Sequence, residues 1–178
     1  SEKALSIEPN FIDALNLIVA VYVNQKENKK AIERVESQIK VSPQNPFFYN
    51  MLGRLHEVNK DITDAENNYK KAIEINPNIA SFHIYLAKFY IKQNKTDIGI
   101  EEYNASLQKD PNAIFALMGL GIIYDVQKKY DKAKEYYDKA LSLAQKSGDK
   151  RSLGLAYADY SMLLENLNED DKAMEYAN

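Results

Sequence analysis

Residues 114–141 read IFALMGLGIIYDVQKKYDKAKEYYDKAL, and this stretch decides the fold. Two runs flank a polar break at Gln127, Lys128 and Lys129. In the first run Leu117, Leu120, Gly121 and Tyr124 have the spacing of one helix face. In the second run Ala133, Tyr137 and Ala140 do the same. So short a break leaves the second helix no course but back along the first, which predicts antiparallel neighbours. No window of the chain sustains a period of two, so no strand is expected.

Working outward, the unit is copied. Four of the five prolines are Pro9, Pro43, Pro77 and Pro111, each 34 residues after the last. Tyr22, His56, Tyr90 and Tyr124 keep that step, as do Ala31, Ala65, Gly99 and Ala133, and Ile18, Leu52, Leu86 and Leu120. The breaks fall at 25–27, 59–61, 93–95 and 127–129. A proline ends each preceding helix, because the residue before it avoids the α region. Asn10, Asn78 and Asn112 follow a proline and are expected to cap the next helix. Asn45 does so with Pro46 in the first turn, where a missing N–H costs nothing.

A helix pair of this length cannot bury its own apolar face, whereas stacked pairs bury a continuous core. Gly53, Ala87 and Gly121 are expected to let the second helix come close, with Ala65, Gly99 and Ala133 meeting them from the other side. A larger side chain there should cost roughly 1–3 kcal/mol.

The set Tyr49, Leu52, Gly53, His56, Ala65, Tyr69, Ala72 and Pro77 resembles the tetratricopeptide repeat, and so does Leu117, Leu120, Gly121, Tyr124, Ala133, Tyr137 and Ala140. The resemblance implies an all-α protein, a right-handed superhelical α-solenoid of antiparallel helix pairs with about four to five units. The chain divides accordingly into repeats at 10–43, 44–77, 78–111 and 112–151, with 1–9 as the remnant of a preceding repeat and 152–178 as an incomplete last one. Both ends would then cut through a repeat of a longer array. The copies diverge in places. Val19 and Gln38 replace small residues in the first, where looser packing is expected, and Ser106 replaces an alanine in the third. In the fourth, Gln145 stands where proline is expected, and the step to Ser161 and Ala173 lengthens to 40.

Composition excludes several kinds of chemistry. The 178 residues are 45% hydrophobic and 28% charged, with a net charge of −3, too small to draw nucleic acid or a membrane by bulk charge. There is no cysteine for a disulfide or a thiolate metal site, and the compartment is left open. No apolar run approaches the roughly 18–20 residues of a membrane span. His56 shares its place with tyrosines, and His83 shares its place with Tyr49 and Leu117, so both read as ring residues of the core rather than ligands or bases. No catalytic, cofactor or metal motif is present. Lysine pairs such as Lys70-Lys71 are scattered and do not form a stripe with aromatics, so no nucleic acid is expected.

The resemblance implies instead a concave groove lined by the first helices, holding a peptide segment or helix of a protein partner. Projecting the face opposite the small residues gives Phe47, Asn50 and Arg54, then Ile84, Lys88 and Lys92, then Phe115, Met118 and Ile122, and last Leu155 and Met162. Arg54, Lys88 and Lys92 would steer acidic groups, and the apolar members would anchor apolar side chains. Two alternatives stay open: a self-associating assembly scaffold, and the repeat region of a larger enzyme such as a glycosyltransferase.

Overall fold

The computed structural model describes residues 11–167. Among them are nine α-helices and no strand: α1 (Ile12–Asn24), α2 (Asn28–Val41), α3 (Pro46–Asn59), α4 (Ile62–Ile75), α5 (Ala80–Lys92), α6 (Thr96–Lys109), α7 (Ile114–Val126), α8 (Tyr130–Ser147) and α9 (Lys150–Asn166). The fold is an all-α helical repeat of the solenoid kind. The chain forms two compact units, Ser1–Phe89 and Tyr90–Asn178, so the division falls inside α5. In the first unit α1, α2, α3 and α4 pack each on the next; in the second α6, α7, α8 and α9 do so, and α7 also meets α9. The expected remnant at 1–9, the Asn10 cap and the end of the last repeat lie outside the described residues.

The tight turns have one construction. Lys26, Lys60, Asn94 and Lys128 adopt the left-handed conformation, with φ of 60, 67, 61 and 58°. They are the middle residues of the four breaks, 34 apart. After each, a backbone N–H reaches five residues back: Glu27 to the Tyr22 carbonyl at 2.8 Å, Asp61 to His56 at 2.9 Å, Lys95 to Tyr90 at 2.9 Å and Lys129 to Tyr124 at 2.8 Å. A second bond runs from each left-handed residue three back, as from Lys60 to Glu57 at 3.1 Å. This is the Schellman motif, which satisfies the last carbonyls of a helix while reversing the chain.

The proline turns differ from expectation. Asn45 caps α3, its side chain accepting from the Phe47 N–H at 3.1 Å. Asn112 does not cap α7. That helix starts after Ala113 with no side-chain cap, and Asp110 Oδ1 instead accepts from the Asn112 N–H at 2.9 Å. Asn76 Oδ1 accepts likewise from Asn78 at 3.1 Å, and α5 begins only at Ala80. The residue before each of these prolines is extended, so its short side chain folds over the turn and takes the bond first. The turn without proline works by other means. α8 runs through Gln145 for 18 residues, Gly148 takes a φ of 70°, and Asp149 caps α9 by accepting from the Arg151 and Ser152 N–H groups.

The small residues act through tyrosine. A Cβ on Gly53 would lie 2.9 Å from Tyr69 Cδ1, and one on Gly121 would lie 2.8 Å from Tyr137 Cε1. The nearest atoms are thus tyrosine rings of the second helix, rather than the alanines expected to meet the glycines. Gly119 does the same one repeat on, where a Cβ would lie 2.3 Å from Tyr103 Cζ. Tyr69 and Tyr137 are almost fully buried, and Ala65, Ala72, Ala133 and Ala140 are sealed. The rings are fixed by further rings: Tyr69 meets Phe89 at 5.7 Å and Tyr137 meets Tyr160 at 5.8 Å between centroids. Gln38 is buried in the first unit, its Oε1 accepting from Arg34 at 3.0 Å. Ser106 is sealed, with no partner for its hydroxyl oxygen.

Candidate functional site

Eight of the eleven projected groove residues lie open to solvent and three do not. Phe47, Arg54, Lys88, Lys92, Phe115, Ile122, Leu155 and Met162 are exposed. Asn50, Ile84 and Met118 are buried, at 7, 9 and 6% exposure, although Asn50 still lines a cavity on this face. The reason is helical geometry. Each lies three residues before a small packing residue, Gly53, Ala87 or Gly121, and residues three apart share a face. Apart from Lys92, the open positions lie one residue after or six before those small residues or Ser161, which matches them in the last repeat, as Ile122 and Phe115 do around Gly121.

In the first unit the face holds a polar cluster. The Arg54 guanidinium sits over the Tyr85 ring, 5.4 Å from its centroid. The Tyr69 hydroxyl donates to Glu57 Oε2 at 2.7 Å; burial above all, and then that carboxylate, push its pKa well up. Phe47 meets Phe82 edge to face at 5.2 Å. Between α1, α3 and α5 lies a cavity of about 160 Å³, lined by Asn16, Phe47, Asn50, Met51, Arg54, Ser81, Phe82, Tyr85 and Ile12. A second hollow of about 410 Å³ adjoins it and shares Asn16, Met51 and Arg54; Val19, Val23, Leu55 and Val58 give it an apolar wall. Asn16 and Asn50 are one repeat apart, a signal the sequence offers, but the cavity and the burial of Asn50 are visible only in the packing.

In the second unit the face is apolar with acids at its base. Phe115 and Ile122 of α7 and Leu155 and Met162 of α9 are 40, 44, 44 and 61% exposed, on helices that pack together. The Tyr137 hydroxyl beneath them is pushed up by burial, and then by Asp159 and Asp125. Burial likewise raises the half-buried Asp159 carboxyl. Sequence reasoning passed over Asp159, since at the matching place Gly119 carries no charge. Tyr103, beside Gly119, is pushed up to about 12 by burial. Lys134 of α8 is tied down by bonds to the Tyr160 hydroxyl at 2.6 Å and to Asp138 at 3.0 Å.

His56 and His83 sit in the packing. His56 Nδ1 lies 3.2 Å from Asp61 Oδ2 at the turn, and His83 is buried. Among the described residues no group of three or more His, Cys, Asp or Glu side chains could hold a metal ion. Nor, among them, is any helix long and apolar enough to cross a membrane.

Comparison with known proteins agrees with this architecture. Models described as tetratricopeptide repeat match residues 48–79, 68–101 and 114–147. Anaphase-promoting complex subunit 3 of Schizosaccharomyces pombe is 24% identical over 174 residues, which are 98% of this chain and 25% of that protein. Protein O-mannosyl-transferase TMTC1 of Mus musculus is 26% identical over 80% of this chain and 12% of its own length. The chain thus spans a quarter or less of these two relatives. The crystal structure of BtubC from P. vanneervenii superposes with a TM-score of 0.83 at 12% identity, over 98% of this chain and 82% of that one, a likeness of fold. With three repeat models placed on helices whose turns, tyrosines and small residues recur as described, the chain belongs to the tetratricopeptide-repeat proteins.

Proposed function

We propose that this chain is a protein-interaction module that docks a segment of a partner protein on the exposed faces of its first helices. One observation carries the reading: four large apolar side chains, Phe115, Ile122, Leu155 and Met162, stand open on two adjoining helices of the second unit. Contiguous exposed apolar surface marks interaction sites, and methionine adapts to varied partners. These four side chains stay open while Leu120, Gly121 and Tyr137 of the same helices and the next are buried. The likeness to a subunit of the anaphase-promoting complex supports a role in an assembly.

Peptides selected from a random displayed library against the chain provide the test. The pair Ile122→Ser and Met162→Ser should weaken the selected peptides about tenfold or more while leaving far-UV dichroism unchanged. Equal affinity for the wild type and the pair overturns the docking surface. A second reading, a repeat region serving an enzyme, is favoured by the likeness to an O-mannosyl-transferase. It requires transferase activity in the full-length protein that the same pair impairs.

A further inference from the structure

We propose that a hollow of the second unit, between the Pro111 turn and the helices α7 and α8, takes the ring of a tyrosine presented by a partner protein, whose hydroxyl donates to the Pro111 carbonyl. The chain itself supplies the mould. In the first unit Tyr49 of α3 stands beside the Pro43 turn, and its hydroxyl donates to the Pro43 carbonyl at 3.0 Å. The ring also reaches the second helix of its pair: the Lys71 pKa is raised, first by the bond to Glu74 and in smaller part by Tyr49. Two steps of 34 further on, Pro43, Tyr49, Lys71 and Ile75 become Pro111, Leu117, Lys139 and Leu143. The turn and the second helix keep residues of the same kind, and the ring is lost. These four residues, with Asp138 and Ser142, line a hollow of about 420 Å³.

The chemistry of the hollow selects a phenol. Leu117 is buried and Leu143 half-buried, so its walls are apolar, while Asp138, Lys139 and Ser142 are exposed at its rim. A void of about 150 Å³ suffices for benzene, so a ring fits. A buried tyrosine hydroxyl needs a hydrogen-bond partner. Among the described residues nothing donates to the Pro111 carbonyl, which stands where the Pro43 carbonyl receives Tyr49. The exposed rim leaves the hollow open on one side, so a free phenol is held by one face only, whereas a tyrosine carried on a protein adds the contacts of its neighbours. The described tyrosines of a second copy are poorly placed to serve, since each is buried or half-buried. None of Phe115, Ile122, Leu155 and Met162 lines the hollow, so it is separate from the docking face of the same unit.

The probes are acetyl-Ala-Ala-Tyr-Ala-Ala-amide, its Phe counterpart and 4-methylphenol, each titrated into the chain with labelled leucine and isoleucine methyl groups and followed by NMR. The tyrosine peptide should move the Leu117 and Leu143 signals along one saturable curve. The Phe peptide, lacking the bond to Pro111, should bind about fivefold more weakly, and 4-methylphenol should also bind more weakly than the tyrosine peptide. Leu117→Tyr rebuilds the Tyr49 arrangement, so it should fill the hollow from within and abolish the movement of Leu143, with far-UV dichroism unchanged. Should that variant not fold, Leu143→Ala tests the same wall and should weaken the tyrosine peptide as read at Leu117. Silent Leu117 and Leu143 signals overturn the proposal, as does equal binding of the Tyr and Phe peptides, or binding undiminished in the folded variants. If 4-methylphenol binds as tightly as the peptide, the ligand is a free phenol; if the same signals shift on concentrating the chain alone, it is a second copy; either result overturns the assignment to a partner's tyrosine. Movement confined to Ile122 and Leu155 would place the peptide on the docking face, refuting this hollow while leaving that function intact.

Discussion

Gly121→Ala and Gly154→Ala are the same chemical change in two helix interiors, and the structure gives them opposite signs. Alanine is the better helix former by about 0.8–1.0 kcal/mol, so propensity favours both variants equally. At Gly154 a Cβ meets nothing within 4 Å, and the propensity gain should appear undiminished. At Gly121 the Cβ would lie 2.8, 3.0 and 3.0 Å from three atoms of the Tyr137 ring, about 0.6 Å inside the 3.4 Å where ordinary contact begins. The ring has no easy way to yield, being almost fully buried and set against Tyr160. Overpacking of this kind costs roughly 1–3 kcal/mol. The difference between the variants cancels propensity and isolates that strain, so it should itself be about 1–3 kcal/mol. Urea unfolding followed by far-UV dichroism measures it. Gly154→Ala should raise the midpoint and Gly121→Ala should lower it or leave it no higher than the wild type. A Gly121→Ala variant as stable as Gly154→Ala would refute the argument that glycine is there to seat the tyrosine.

The other expectations follow the same structure. Lys60→Gly removes a side chain from a left-handed residue and should stabilise by roughly 0.5–1 kcal/mol in the same urea assay, since the strain relieved exceeds the added chain entropy. Tyr69→Phe keeps the ring over Gly53 but deletes the bond to Glu57; hydrogen bonds to charged groups lie near 1.5–3 kcal/mol, and partial exposure of Glu57 puts the loss at the low end. Asp149 and Asp61 are both held below the usual carboxylate range, Asp149 chiefly by the Ser152 hydroxyl and Asp61 chiefly by the Asn59 amide. Since the folded pKa is the lower one, their contribution is present above the ordinary aspartate value of about 4 and is lost as pH falls through the folded values. Asp149→Ala should therefore lower the unfolding midpoint at neutral pH and approach the wild type in acid, as a pH series of urea titrations would show.

The repeat was legible because its punctuation is chemical. Three steps of 34 among the prolines located the helix pairs, and the polar breaks centred on residues 26, 60, 94 and 128 proved to be where the backbone turns left-handed. What escaped the sequence needed a third dimension. Asn112 looked like a cap, but Asp110, on the other side of Pro111, reaches the backbone first. Asn50, Ile84 and Met118 were polar or apolar in no consistent way, so hydropathy could not place them; only their position three residues before the small packing residues explains why they are covered. Tyr69 and Tyr137 were legible as part of the repeat, yet which glycine a second-helix tyrosine covers was not, because Tyr103 lies over Gly119 of the next helix while Tyr137 lies over Gly121 of the preceding one.

The central claim is that a partner segment docks on the first-helix face of the second unit. Chemical-shift mapping of the labelled chain with a library-selected peptide tests it most directly. The account predicts that the largest movements fall on Phe115, Ile122, Leu155 and Met162, with Glu135 and Lys139 on the far side of α8 unmoved. Movements centred on Glu135 and Lys139, with the four apolar residues silent, would contradict it.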